Sequence, residues 1–398
     1  MRVLRPFSTL HFRAPLFFTR LWGDNAESCG VSTALPPIVC TDDELLQVSS
    51  QLAIAPWATL DTEFMRESTY FPQLCLVQIA TPDALWLLDP LVVDLAPLWE
   101  TLNTTSAPIV LHSAEQDLEL IYLASGRLPP TLRDSQIAAA FLGLGDQIGY
   151  GNLVQRLLDF ALDKSQSRTN WAQRPLTDAQ RQYAADDVRY LAQIYPELRQ
   201  RLADTHRLTW FDEECAMLSN PQRFEPQTTG LWRRVRGQQQ LRAPQRVILD
   251  AIATWREHWA RQLDLPRRWV LSDEQALELA NSRGFRADLL HGTQNFRHRF
   301  TTEQISDLRA TMDRARQLPV EDGPQWRTFN RLDPDTATLL ALLQSKVHSL
   351  SQELGISAAL LATADDILQL MRAPDAPCKL NQGWRNAVVG LPLKSLLP

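Results

Sequence analysis

Asp61 and Glu63, in the run ATLDTEFM, are separated by a single threonine. The flanking Ala58, Leu60 and Phe64 mark the run as a buried strand, and in an extended chain residues i and i+2 project from one face. Two carboxylates side by side on a central strand repel each other and lose hydration, so they require a compensating cation or a solvent-facing edge. Further acids stand at comparable places. Asp117, in IVLHSAEQDLELI, falls where a strand runs into a helix, near one end of a sheet. Asp187, in QYAADDVRYL, follows Tyr183 by four residues, which puts phenol and carboxylate on one helical face. Asp186 competes with it at a spacing of three. Asp134, in LRDSQIAAAFLG, precedes an apolar helix and reads as its cap. Asp61, Glu63, Asp117 and Asp187 are the hard oxygen donors that hold two Mg²⁺ or Mn²⁺ ions, which clamp the attacking and leaving oxygens of a phosphate.

The elements that must position these groups follow from periodicity. Strands are expected over 57–64, 74–80, 85–88 and 109–112, the first three close enough in sequence to be antiparallel neighbours. Helices are expected over 114–123, 152–162 and 178–202, the last opening on Thr177 with Gln180 in capping-box position. Beyond residue 205 the pattern changes. Residues 206–240 mix Pro, Asn, Gly and Arg and read as a linker. Helical patterns then cover 244–262, 273–281 and 302–317, and after a break at 319–324 they resume over 334–354 and 357–371. The expected architecture is α/β plus all-α. A mixed-sheet domain spans 37–205, a first small helical domain 241–322 and a second 323–398, with residues 1–36 as an extension.

A chain of 398 residues exceeds what one core usually organises, consistent with this division. The formal charge of −6 argues against a uniformly basic surface while leaving room for a local positive stripe, such as Arg233, Arg234, Arg236, Arg242 and Arg246. Cys29, Cys40, Cys75, Cys215 and Cys378 are odd in number, scattered, and form no Cys-x-x-Cys pair, which fits a reducing compartment and neither a disulfide framework nor a zinc knuckle. No apolar run reaches the roughly 18 residues of a membrane span, so no membrane partner is expected. Residues 1–23 carry four arginines and no acid, which leaves open a mitochondrial-type leader or an extension from an upstream start codon. The expected location is cytoplasmic, or mitochondrial if this segment is a leader.

DTEF, Asp117 after a strand, and Tyr183-x-x-x-Asp187 occur in order, and in that order they resemble the motifs of the DEDD 3'-5' exonucleases, in the branch with tyrosine in place of histidine. The stretches DTEFMRESTYFPQLCLVQIA, LDKSQSRTNWAQRPLT and QYAADDVRYL narrow the resemblance to the ribonuclease D family over most of residues 57–200. The family spacing favours Asp187 over Asp186. The resemblance implies a ribonuclease H-like domain that releases nucleoside 5'-monophosphates from RNA, with tRNA precursors as the expected substrate. It implies Asp61 bridging two divalent ions, Glu63 and Asp187 completing one site, and Asp117 holding the second largely through water. Tyr183 orients the attacking water; whether it also takes a proton is open. WREHWARQLDLPRRWVLSDEQALELA resembles an HRDC domain, and LNQGWRNAVVGLPLKSLL a more divergent HRDC-like module.

Such a reaction needs a single-stranded 3' end threaded to the ions with its last bases splayed. Phe64 and Met65 are candidates to wedge against the last base, and His112 and Trp171 to stack on it. Lys164, Arg168 and Arg174, in KSQSRTNWAQR, are candidates for a phosphate clamp. A monomer is expected. Two rivals stay open: a DNA exonuclease of the same fold, because the metal set does not read a 2'-hydroxyl, and a catalytically silent RNA-binding adaptor. A helicase is excluded, since no Walker A loop occurs.

Overall fold

Strands Ile38–Val39 (β1), Ala58–Met65 (β2), Gln73–Ala80 (β3), Leu85–Leu88 (β4), Ile109–Leu111 (β5) and Leu132–Asp134 (β6) form one mixed sheet in the order β1-β4-β3-β2-β5-β6. They belong to a computed structural model that describes residues 35–225, 228–290, 300–319 and 332–398. The arginine-rich segment 1–23 lies outside the described residues. β2 to β4 form the expected antiparallel meander, whereas β5 and β6 run parallel to β2 and so need helical crossovers. β2 is therefore central, paired on both sides.

The helices of this region are Asp42–Ile54 (α1), Ala96–Thr104 (α2), Glu115–Ser125 (α3), Ser135–Phe141 (α4), Tyr150–Leu158 (α5) and Asp178–Asp204 (α6). α1, α2, β1 and β6 have no counterpart among the sequence expectations, being short or weakly patterned. α6 opens with the predicted capping box, Thr177 and Gln180 satisfying each other's backbone N–H groups. It lies on the face of β2 that carries residues 59, 61 and 63, and the Thr59 hydroxyl donates to the Val188 carbonyl of α6 at 3.1 Å. Asp134 caps α4 as expected, accepting from Gln136 N at 2.8 Å.

Residues 206–240 are not a loose linker. They contain a helix, Leu208–Ala216 (α7), whose Phe211 and Cys215 are buried in the core of the sheet region. Leu231 and Trp232 anchor the next core. Apolar side chains sparse in sequence are gathered here by turns, which the polar composition conceals.

The first helical module comprises Ala243–Gln262 (α8), Arg267–Val270 (α9), Asp273–Asn281 (α10) and Thr302–Gln317 (α11) around its own core. It grips the β2–β3 loop: Asp264 accepts from Tyr70 N at 3.0 Å and Phe71 N at 2.9 Å, and the Tyr70 ring lies 4.8 Å from the Arg267 guanidinium while its hydroxyl donates to Glu257.

The second module begins with Pro334–Leu354 (α12). The single helix expected over 357–371 is broken into Ala358–Leu361 (α13) and Ala364–Arg372 (α14) by a new cap at Thr363, which accepts from Asp366 N. Its apolar residues share one core with the sheet region. Trp384 stacks on Trp210 at 5.0 Å, meets Phe141 edge-on at 5.2 Å, and donates from Nε1 to Glu214 at 3.0 Å. Removing that ring as Trp384→Ala is expected to cost about 3–5 kcal/mol and to release this module first. Urea unfolding should then turn biphasic, with an unchanged single transition counting against the shared core.

Candidate active site

Asp61 and Glu63 reach the α6 face of β2 because the strand alternates, and Asp187 faces them because it lies on the helix laid over that face. Carboxylate oxygens of the three lie within 4.8 Å of one another. Asp186, one residue earlier, instead accepts from Gln182 at 2.9 Å and pairs with the nearly buried Arg189. The helix thus separates the two adjacent acids onto different partners.

Asp117 is not one of those three. Thr62, which alternation turns to the other face, donates its hydroxyl to Asp117 Oδ1 at 2.5 Å and holds that buried carboxylate beside the cluster. The turn leading to α3 is fixed by Asp134, whose two oxygens accept from Ser113 N and Ala114 N, each at 3.0 Å. Ser113 sits at φ +58°, a conformation a non-glycine residue keeps only when its surroundings impose it.

Electrostatics follow from this crowding. Burial first, then Asp117, Asp187 and Glu63, push the Asp61 carboxyl well above its usual range, and burial with Asp186 and Asp117 does the same to Asp187. Glu63 is pushed up to about 9 by burial, Asp187 and Asp117. Asp117 rises to about 7 through burial, with the Thr62 hydrogen bond opposing. The charged groups acting most strongly on Asp61 and Glu63 are other acids. An all-oxygen set, half-buried and with other acids as its strongest charged neighbours, fits hard divalent cations. The Tyr183 phenol, under burial and then the charges of Asp187, Glu63 and Asp61, is raised far beyond its ordinary value and stays protonated at any working pH.

A cleft of about 510 Å³ opens over the carboxyl end of β2, walled by Asp61–Glu67, by His112, Ser113, Gln116 and Asp117, and by Ser167–Thr169 with Trp171. Phe64, Met65 and Arg168 line it as expected. Trp171 does not stand free as a stacking platform: it is 2% exposed, and its ring lies 6.0 Å from that of Tyr183. His112 has both ring nitrogens engaged, by Ser135 Oγ at 2.8 Å and the Ile148 carbonyl at 3.0 Å, so it is a held wall. Lys164 is exposed and outside the lining, its stem packed over Gly151. Arg174 is no clamp. It pairs with the buried Asp89 and donates to the Cys75 and Trp171 carbonyls, tying the 167–175 loop to the sheet. Sequence reading missed Tyr150, whose hydroxyl donates to the Asp186 carbonyl at 2.8 Å and whose ring lies 5.5 Å from His112. It also missed Thr62. No short motif marks either, because both act through tertiary contacts.

Sheet order and acid placement together are those of a ribonuclease H-like 3'-5' exonuclease, and the model of a 3'-5' exonuclease family matches residues 36–203. Ribonuclease D of Gluconacetobacter diazotrophicus is 36% identical over 367 residues, covering 89% of this chain and 91% of that one. Ribonuclease D of a Jannaschia species is 36% identical over 377 residues, covering 91% and 95%. The crystal structure of Escherichia coli RNase D, an exoribonuclease involved in structured RNA processing, superposes with a TM-score of 0.76 at 31% identity over 91% of this chain and 98% of that one. The chain belongs to the ribonuclease D family, and as a member of it is a 3'-5' exoribonuclease.

The raised carboxyls make a stability prediction. A carboxyl whose folded pKa lies above its unfolded value near 4 is proton-bound in the folded state where the unfolded chain has released its proton, so its contribution falls as pH rises from about 4 toward about 9. In EDTA, Asp61→Asn is therefore expected to be more stable than the natural chain at pH 8, by on the order of 1–2 kcal/mol, with the gap closing at pH 4 to 5. Thermal melts across pH check this. A less stable variant at pH 8 would show that the acids are not strained.

Proposed function

We propose that the cluster holds two divalent cations, Mg²⁺ or Mn²⁺, and that the chain removes nucleotides one at a time from the single-stranded 3' end of an RNA such as a tRNA precursor. The observation that carries this is the approach of three half-buried acids to within 4.8 Å with a fourth, buried, beside them. Asp61 would be the ligand common to both ions, Glu63 and Asp187 would complete one site and Asp117 would serve the other. When bound, such cations acidify a water and neutralise charge on the phosphate. The chain's own groups then have three tasks. Tyr183, protonated and against the cleft wall, orients the water for attack on the terminal phosphorus, so that the 3' oxygen departs and a 5'-monophosphate is released. Phe64 and Met65 hold the last base apart from its neighbour, and Arg168, exposed on the cleft wall, meets a backbone phosphate. The two helical modules, HRDC-like in sequence, draw RNA toward the cleft, and the chain acts as a monomer.

Incubation with a 3'-extended tRNA, with and without EDTA, tests the reading. Mononucleotides that require added Mg²⁺ or Mn²⁺ are expected; internal cuts or EDTA-resistant release would refute it. Matched RNA and DNA oligonucleotides separate the ribonuclease from a DNA exonuclease. Tyr183→Phe is expected to lower kcat about 10–100-fold with KM little changed, since orientation acts on the reacting water. Arg168→Ala should instead raise KM and flatten its salt dependence by roughly one counterion. A salt slope identical to that of the natural chain would remove Arg168 from the contact with RNA.

A further inference from the structure

Gln78 is fully buried on β3, and neither its amide oxygen nor its amide nitrogen has a hydrogen-bond partner among the described residues. That is a costly position for a group with two donors and an acceptor, because it forgoes hydration without a compensating bond. Its surroundings follow from the register. In an antiparallel pair, directly opposed residues project to the same face. Gln78 is opposed to Asp61 across β2–β3 and to Leu87 across β3–β4. Leu76, two residues earlier, shares its face by alternation. Leu76 and Leu87 are both fully buried and belong to an apolar cluster with Trp171, Leu176 and Ala184 of α6. The amide is therefore bounded by hydrocarbon along its own strand and toward β4, and its ladder neighbour toward β2 is the Asp61 carboxylate. Opposed side chains have Cβ atoms about 4.5–5.5 Å apart, a span that a glutamine Nε2 and an aspartate Oδ can close to hydrogen-bond distance.

We propose that Gln78 is a positioning residue for the cation site: its amide N–H donates to the Asp61 carboxylate and fixes that ligand's orientation. The inference rests on the two-cation reading above and adds to it a residue that touches neither substrate nor the reacting phosphate. Groups that hydrogen-bond to metal ligands typically account for a 10–100-fold effect on metal affinity. Gln78→Met, which keeps the volume and removes the amide, is expected to bind Mn²⁺ about 10–100-fold more weakly in calorimetric titration of the full chain. Its kcat on a 3'-extended RNA should fall with KM unchanged and recover partly at high Mn²⁺. Its melting temperature in EDTA should be equal to or above that of the natural chain, because a buried amide without a partner has been removed.

Natural Mn²⁺ affinity in Gln78→Met, or weaker affinity accompanied by a lower melting temperature in EDTA, would overturn the assignment in favour of a packing role. A crystal structure of the natural chain with Mn²⁺ decides independently of whether the variant folds. The Gln78 amide nitrogen within hydrogen-bond distance of Asp61 supports the proposal, and an amide turned to a backbone carbonyl sinks it. If the natural chain itself takes up no Mn²⁺, both this inference and the two-cation reading fail; uptake by the natural chain with unaltered uptake by Gln78→Met fails this one alone.

Discussion

Mutual repulsion among Asp61, Glu63, Asp187 and Asp117 is the constraint on which the rest of this molecule depends. Burial deepens that repulsion, since a low dielectric both penalises each charge and strengthens their interaction. Left to themselves the elements that carry these acids would move apart. What prevents it is packing: β2 is paired on both sides, α6 is fastened to it through Thr59 and Val188, and the entry to α3 is fastened to β6 through Asp134. The core beneath is continuous from α1 to the C-terminal module, so the strain along the central strand is resisted by apolar contacts spread over most of the chain.

The two faces of β2 divide the work. On the α6 side, alternation collects Asp61 and Glu63 against Asp187. On the other side, Thr62 turns the same strand toward Asp117, so one threonine between two carboxylates is itself a structural tie to the fourth acid. The 167–175 loop completes the cleft by the same logic. Its arginine at 174 is directed inward to Asp89 and the Cys75 carbonyl, which anchors Trp171 behind Tyr183 and leaves Arg168 exposed on the cleft side. A basic residue in a polar loop can thus be a strut, while its neighbour six residues earlier faces solvent.

Much of this was legible in sequence, and the parts that were not share a cause. Strong local signals, the Thr177–Gln180 cap, the Asp134 cap and the alternation in β2, gave element boundaries within a few residues. The acids pointed to one site through their pairing on one strand face, the strand-to-helix position of Asp117 and the four-residue step from Tyr183 to Asp187. Residues whose role depends on which strand lies beside which were invisible: Gln78 and Thr62 matter through the β2–β3 register and the approach of α3, and no window of sequence contains both partners. The misread linker failed for a related reason, as Phe211, Cys215 and Trp232 are too sparse to show a period yet are buried against elements far away in the chain.

The choice of a phenol beside these acids has a physical rationale. Among four carboxyls an imidazole would take up a proton and pair with one of them, withdrawing it from cation binding as the pH fell. The Tyr183 hydroxyl is driven the other way by the same field, so it stays neutral across the whole range in which Glu63 and Asp117 lose their protons. It can therefore direct a water through its O–H group without adding charge of either sign to the cluster. Such a group is poorly suited to act as a base, because burial first, and then the charges of Asp187, Glu63 and Asp61, disfavour its anion. The protein's own share is then geometry: a phenol packed beside Trp171, a set of carboxylate oxygens within 4.8 Å of one another, and a cleft opening over the end of β2.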